Sequence, residues 1–424
     1  MGKKLPIIFQ LFKEKIFVST ILGNSLDHYD TALYGFLAPY IAPLFFPHQE
    51  PVTALIFTYS LMSASIITRP LGALFFGKLA NAKGGKQAFI LSLWGVAITT
   101  GGMGVLPTYD KVGFLAPLSL LFLRACQAFF ASGESIVAPL FMLKNISLRA
   151  QGQANGLYQS STVFGILLAS LATTLVSFSS NSQLYWRVPF VLSFLTGVVG
   201  LLLRYQVQQK VLNEKPYEVG FLKAFKILLK HKQVLLKIVA VSSLSYVTYA
   251  IPFVFINIFV VHVSSVSLQD TFTFNTALLA LDMCLLPFFG KLSDVFGVQK
   301  IMIIMATSLA ITVVPIFLLV PNSNPLSIFL MRIWIVLCGL GFSAPLHIWF
   351  AQILKGREHY LLTGVGYALG SELFGRSTPS ICLWLWHTTN WVVAPAFYII
   401  AVSISAIISL QTKSNLVSQN LNEG

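Results

Sequence analysis

Charge is what this sequence has least of. Charged residues occupy 10% of its 424 positions, where a soluble domain has roughly 25%, so water is not its main solvent. Acids are the scarcer sign, 14 against 28 Lys and Arg. A net charge of +14 would point to nucleic acid only if it were gathered on one face. It is scattered through short segments, which excludes nucleic acid as a partner. Cysteine is nearly absent: Cys126, Cys284, Cys338 and Cys382 stand alone in apolar runs, so neither a disulfide framework nor a metal site is expected. No phosphate-binding Gly-rich loop, nucleophile–base pattern or metal-ligand spacing is visible, so the chain is expected to be no enzyme and to need no cofactor. No polar stretch is long enough to hold a soluble domain. The N-terminal lysines lead into an apolar run without a small-residue cleavage site, which reads as a retained first span.

What is abundant is apolar sequence, 56% of the chain. About 20 apolar residues cross a bilayer core as a helix. Such runs lie near 17–46, 52–79, 88–107, 114–142, 153–178, 187–204, 236–262, 271–290, 299–320, 326–353, 362–385 and 391–411. The expected fold is an all-α integral membrane protein with twelve transmembrane helices. Basic residues gather on the loops of one side, including Lys3, Lys4, Lys78, Lys83, Lys86, Lys144, Arg149, Lys291 and Lys300; the other side has Lys111, with Arg187 at the mouth of a span. That asymmetry predicts both termini in the cytoplasm. The predicted organisation is a six-helix bundle over 1–204, a basic cytoplasmic linker over 205–232, a second bundle over 233–411 and a short tail over 412–424. Within the linker, Phe221, Leu222, Phe225, Leu228 and Leu229 fall near one face. This fits an amphipathic helix on an anionic leaflet or, equally, a solvated basic connector.

The division into halves rests on a repeat. Gly77-Lys78-Leu79-Ala80-Asn81-Ala82 returns as Gly290-Lys291-Leu292-Ser293-Asp294-Val295. The offset is 290 − 77 = 213, almost half the chain. Each copy ends an apolar run and reads as the same cytoplasmic loop. Arg124 is followed nine residues on by Gly133, and Arg332 by Gly341, a second echo in the fourth span of each half. Two parallel six-span halves are an architecture of secondary transporters.

The repeated loop resembles the major facilitator signature. The first span is more specific: Gly23-Asn24-Ser25-Leu26-Asp27-His28-Tyr29-Asp30, then Ala42-Pro43-Leu44-Phe45-Phe46-Pro47. With Arg69-Pro70-Leu71-Gly72, Trp186-Arg187-Val188-Pro189-Phe190 and Ala394-Pro395-Ala396-Phe397-Tyr398, it resembles the metabolite:H⁺ symporter family, which includes proline/betaine, 2-oxoglutarate and shikimate transporters. The resemblance implies two pseudo-symmetric six-helix bundles that rock about one substrate site. Asn81 stands where the signature has Asp, whereas Asp294 keeps it, so the cytoplasmic gate, for which Asn81, Asp294 and Arg69 are the candidates, is expected to be lopsided. Asp27-His28 replaces the family's Glu-Trp, and Arg376 stands where Gly is usual.

Charges inside spans are expensive and normally functional or paired. Asp27 and Asp30, three apart, share a helix face. Two close carboxylates in a poorly hydrated cavity cannot easily both ionise, which is chemistry a proton-coupled carrier needs; the alternative is a pair neutralised by a nearby Arg. Asp282 and Glu134 are further proton-coupling candidates. Arg124 has the fork to grip a substrate carboxylate or to pair with an acid. Glu372 and Arg376, four apart, are in the acid-first order that favours a self-pair, though Arg376 could face an anion. Tyr29, Tyr34, Tyr246, Tyr249, Trp349 and Tyr367 could cage a quaternary ammonium. Tyr29, Tyr34, Tyr249 and Glu372 therefore join Arg124 and Arg376 as substrate-binding candidates. The expectation is a monomeric transporter of the inner membrane, surrounded by lipid, that moves a small carboxylate or zwitterion with a proton. An uncoupled facilitator or a degenerate transporter-fold sensor are the rival readings.

Overall fold

The computed structural model describes residues 15–83, 85–135, 151–179, 185–205, 221–353 and 359–412. Among them there is no strand. Helices occupy all twelve predicted positions. Eight are long and apolar enough to cross a membrane, and two shorter apolar helices, Leu91–Val105 and Arg187–Val199, mark the third and sixth. The remaining two are the first, Lys15–Phe45, and the eleventh, which runs from His359 to Thr389 in three pieces. Both carry buried charges that a hydropathy scan counts against them.

The repeat is not a loop. Its first copy lies in the helix Ser65–Lys83, and its second in the last turns of Leu268–Phe296. Apolar runs mark the part of a helix within hydrocarbon, whereas backbone hydrogen bonding continues until something stops it. Here Gly297, at φ +92, ends the eighth span and opens the ninth, Val298–Leu319. That left-handed angle favours glycine.

Two compact units emerge. One holds the described residues of Met1–Gln49, Ile67–Pro216 and Leu279–Lys291; the other holds those of Glu50–Ile66, Tyr217–Leu278 and Leu292–Gly424. In the first unit, the first span packs on the fifth, Gln151–Ser177. Gly165 makes this possible: a Cβ there would sit 2.0 Å from the Ser25 carbonyl oxygen. Asn24 secures the contact, its Nδ2 donating to Ser161 Oγ (2.9 Å) and Thr162 Oγ1 (2.8 Å) while Tyr158 donates to its Oδ1 (3.1 Å).

In the second unit, the seventh span (Lys232–Ala250, then Ile251–Val263) packs on the eleventh. Gly366 and Gly370 serve that contact. Added Cβ atoms would meet Ile238 at 2.7 Å and the Val239 carbonyl at 2.5 Å. Both spans contain a wide π-helical turn, Ile251–Phe255 and Ser371–Arg376. Outside the spans, the helix Phe221–Lys230 exposes Phe225 and Leu229 on one side and buries Ile227.

Glu50 caps the second span. Its Oε2 accepts from Thr53 N (3.2 Å) and Thr53 Oγ1 (3.1 Å) and lies 3.1 Å from His387 Nε2. Slight burial pushes the carboxyl up, but the bonds from Thr53 and the nearby His387 outweigh it and hold its pKa below the usual carboxylate range. A lowered folded-state pKa stabilises above the unfolded value and is lost as pH falls through the folded one. The pair is largely exposed, so its contribution is small. Glu50→Gln should lower the thermal midpoint by about 1 °C at most at pH 7, and the difference should close below about pH 4. A gap that persists unchanged at low pH would sink this account.

Candidate functional site

The first unit buries two acids of the first span, Asp27 (4% exposed) and Asp30 (1%). Tyr34 follows Asp30 by four residues and so shares its face. The fourth span, Leu115–Ser135, supplies Arg124, whose guanidinium lies 4.7 Å from the Tyr34 ring centre. Arg124 Nη1 donates to Gln127 Oε1. Gln127 Nε2 in turn donates to Thr100 Oγ1 (2.6 Å) and to the Asp30 carbonyl (3.1 Å). This Gln127 relay, which holds Arg124 toward the first span, was not anticipated from sequence. Tyr29 is committed elsewhere, donating to the Pro189 carbonyl at 3.1 Å. His28 leaves the acidic face and bonds the Asn24 carbonyl through Nδ1 at 2.8 Å.

Asp282 belongs to the same unit. The eighth span is held to the fifth in the turn that follows it. Ser160 Oγ donates to the Met283 carbonyl at 3.0 Å, and Gly156 leaves room for Pro287. Asp282 is 8% exposed. Among the described residues its carboxylate has no hydrogen bond and no ion pair. A buried charge with nothing to offset its lost hydration is unfavourable, and a proton removes that charge.

The second unit contains the predicted self-pair. Arg376 Nε lies 3.0 Å from Glu372 Oε1, although the two are not aligned as a hydrogen bond. Ser65 donates to the other oxygen, Oε2. Both charges sit on the wide turn Ser371–Arg376, where i→i+5 bonding leaves carbonyls without their usual partners. Side chains take them over: Ser377 bonds the Leu373 carbonyl, Thr378 that of Phe374, and Tyr398 donates to the latter at 2.7 Å. Gly375 admits Tyr246 at 2.3 Å from where its Cβ would be.

The predicted aromatic cage divides. Tyr29 and Tyr34 lie in the first unit and are buried. Tyr249 packs tilted against Phe253, ring centres 5.3 Å apart, and Trp349 against Phe350 at 5.7 Å. Tyr246 and Tyr367 come together with a residue that sequence reasoning passed over, His347 of the tenth span. Its ring centre is 5.8 Å from that of Tyr367. A solitary His inside an apolar run was the available signal.

Of the gate candidates, Arg69 is half-buried and Asp294 exposed. The Asn81 and Glu134 side chains, residues 206–220 of the linker and the tail beyond residue 412 lie outside the described residues. Among the described residues no group of three or more His, Cys, Asp or Glu could hold a metal ion.

Comparison with known proteins places this arrangement. The sequence pattern of the Major Facilitator Superfamily matches residues 20–360. A proline/betaine transporter of Escherichia coli K12 is 25% identical over 427 aligned residues, covering 96% of this chain and 84% of its own. A crystal structure of a D-xylose-proton symporter superposes with a TM-score of 0.76 at 13% identity, covering 94% of this chain and 97% of its own. The xylose transporter of E. coli in an inward-open conformation gives 0.73 at 14% identity, over 95% and 96%. At such identities the structural likeness is one of fold. This chain belongs to the major facilitator superfamily: it is a multi-pass membrane transporter and not an enzyme.

Proposed function

We propose that this transporter couples entry of a small zwitterionic or carboxylate metabolite to a proton, by alternating access of two six-helix bundles, 1–204 and 233–411. The observation that carries the proton is Asp282, a buried carboxylate with no cation or donor among the described residues. Asp27 and Asp30 are the reserve proton sites. The substrate class is supported by the relative named for proline and betaine. Glu372 bears on it too: the acid neutralises Arg376 at 3.0 Å, so a dianion would find little net positive charge there. Arg124, braced by Gln127, is the carboxylate ligand offered by the N-terminal half. Asn81, Asp294 and Arg69 serve the cytoplasmic gate. The excess of Lys and Arg on one side supports termini in the cytoplasm, and the proposed setting is the inner membrane, with the protein acting as a monomer.

Uptake into proteoliposomes is the test. With the membrane potential clamped, labelled proline, betaine, 2-oxoglutarate and shikimate are offered at pH 6 outside and pH 7 inside. With one proton per substrate, one pH unit supports about tenfold accumulation. Tenfold accumulation of proline or betaine is expected. Uptake that equilibrates without overshoot would identify an uncoupled facilitator. Binding and uptake of none of the four would sink the transport reading of substrate altogether.

A further inference from the structure

Arginines inside a membrane protein normally spend their donors on fixed partners. Arg332 bonds four acceptors through Nη1 and Nη2, and Arg187 gives Nη1 to the Gly104 and Leu106 carbonyls. Arg376 is different. Its Nε lies 3.0 Å from Glu372 Oε1, and 13% of the side chain stays accessible. Nε is buried. The two terminal nitrogens are not, and among the described residues neither has a hydrogen-bond partner. The wide turn Ser371–Arg376 does not claim them, because Ser377, Thr378 and Tyr398 already serve its carbonyls at Leu373 and Phe374. The guanidinium is therefore held at its Nε side and open at its Nη1–Nη2 edge. That edge can take a second carboxylate through two parallel bonds.

The charge already present restricts what that carboxylate can belong to. Glu372 is 1% exposed, its Oε2 bonded to Ser65 of the second span and its Oε1 facing Arg376. Acid and guanidinium cancel. A zwitterion brings a carboxylate and an ammonium together and leaves that sum at zero. A carboxylate without its own cation would leave a net negative charge beside Glu372 in a poorly hydrated setting, where like charges repel strongly.

We infer that Arg376 receives the substrate carboxylate in the second unit, and that Glu372, which holds Nε and cancels its charge, restricts the site to zwitterions. Glu372 acts through Arg376 and is a positioning residue. The inference rests on the reading above that a zwitterion or carboxylate is transported, and narrows it to the zwitterion.

The experiment measures uptake of labelled betaine into proteoliposomes and its inhibition by two analogues. Choline keeps the quaternary ammonium and lacks the carboxylate. The all-carbon isostere of betaine keeps the carboxylate and lacks the positive charge. Glu372→Gln uncovers the charge of Arg376, so the ratio of the isostere's inhibition constant to the betaine KM should fall roughly 10- to 100-fold, the scale of one close charge pair. A purely structural acid would not move that ratio. Combining Glu372→Gln with Arg376→Gln removes both charges and strands neither. It should raise the betaine KM roughly 10- to 100-fold, the loss expected for hydrogen bonds to a charged group, and leave choline inhibition unchanged. Arg376→Lys keeps the charge without the fork and should fall between. The double variant decides the matter if Glu372→Gln does not fold. A parent-like ratio in folded Glu372→Gln, or a parent-like betaine KM in the double variant, overturns the inference. So does an equal loss of betaine and choline affinity, which would make the pair a packing element. If the parent protein takes up no zwitterion, the transport reading fails and this inference falls with it. Parent uptake with unaltered variants sinks the inference alone.

Discussion

Asp282→Asn should abolish accumulation driven by a pH gradient while sparing exchange. The substitution is close to isosteric, so the packing of the eighth span on the fifth through Ser160 and Gly156 is retained. What it removes is the ability to alternate between charged and neutral forms. The parent carboxylate, 8% exposed and without a partner among the described residues, is costly to keep ionised in a closed, dry state. A proton taken up from the acidic side would lift that cost and permit the crossing. Asn is permanently neutral and can cross with or without a proton outside. Accumulation should therefore fall from about tenfold per pH unit to unity, with counterflow of labelled substrate remaining near the parent rate. If tenfold accumulation persists in a folded Asp282→Asn, the proton is not carried there, and Asp27→Asn and Asp30→Asn become the informative variants.

Arg332→Leu should produce the largest loss of stability. Arg332 is 1% exposed and ties three spans. From the tenth, its Nη2 donates to the Pro252 carbonyl (2.7 Å) and Asn257 Oδ1 (2.8 Å) of the seventh and to Asn275 Oδ1 (2.7 Å) of the eighth. Nη1 reaches the Thr271 carbonyl at 3.4 Å. The bond to Pro252 has a local cause. In the wide turn the Ile256 N–H bonds back to the Ile251 carbonyl, so it does not serve Pro252 as it would in a regular helix. Arg332 fills that vacancy. Leu would strand several buried acceptors at about 1–3 kcal/mol each, for a total of about 3–5 kcal/mol. For a chain of 424 residues that corresponds to a thermal midpoint lower by about 3–6 °C. Arg332→Lys keeps the charge but not the fork and should fall between. A normal midpoint in Arg332→Lys together with a raised substrate KM would contradict this structural role and make Arg332 a ligand.

One pair of the candidate site could be read from residue spacing on a single helix, whereas Arg124 and Gln127, three apart on another, could not be told from any other neighbours. Glu372 and Arg376 are four apart, and they pair. Spacing failed where partners come from different helices. Ser65 and Glu372 are separated by 307 positions and Asn24 and Tyr158 by 134, and no local pattern connects them. Spacing marked Asp282 as the lone acid of its span, but not whether another helix supplies it a partner. It grouped Asp27 with Asp30 and Glu372 with Arg376, but did not show that Ser65 also holds Glu372 whereas Asp282 is held by none of the described residues. The wide turns at Ile251–Phe255 and Ser371–Arg376 were equally hidden, because a π turn has the composition of the helix it interrupts.

The sequence alone determined the class of protein and the positions of twelve helical spans, and it suggested a division into halves. Each of these follows from local hydropathy and from a repeat that can be matched by eye, since about 20 apolar residues suffice to define a crossing. Only the tertiary structure decided which buried charges are satisfied, that Arg332 supports a wide turn, and that His347 joins Tyr246 and Tyr367. Those outcomes depend on which faces of distant helices meet, and hydrogen bonding acts over about 3 Å, a distance that chain position does not record.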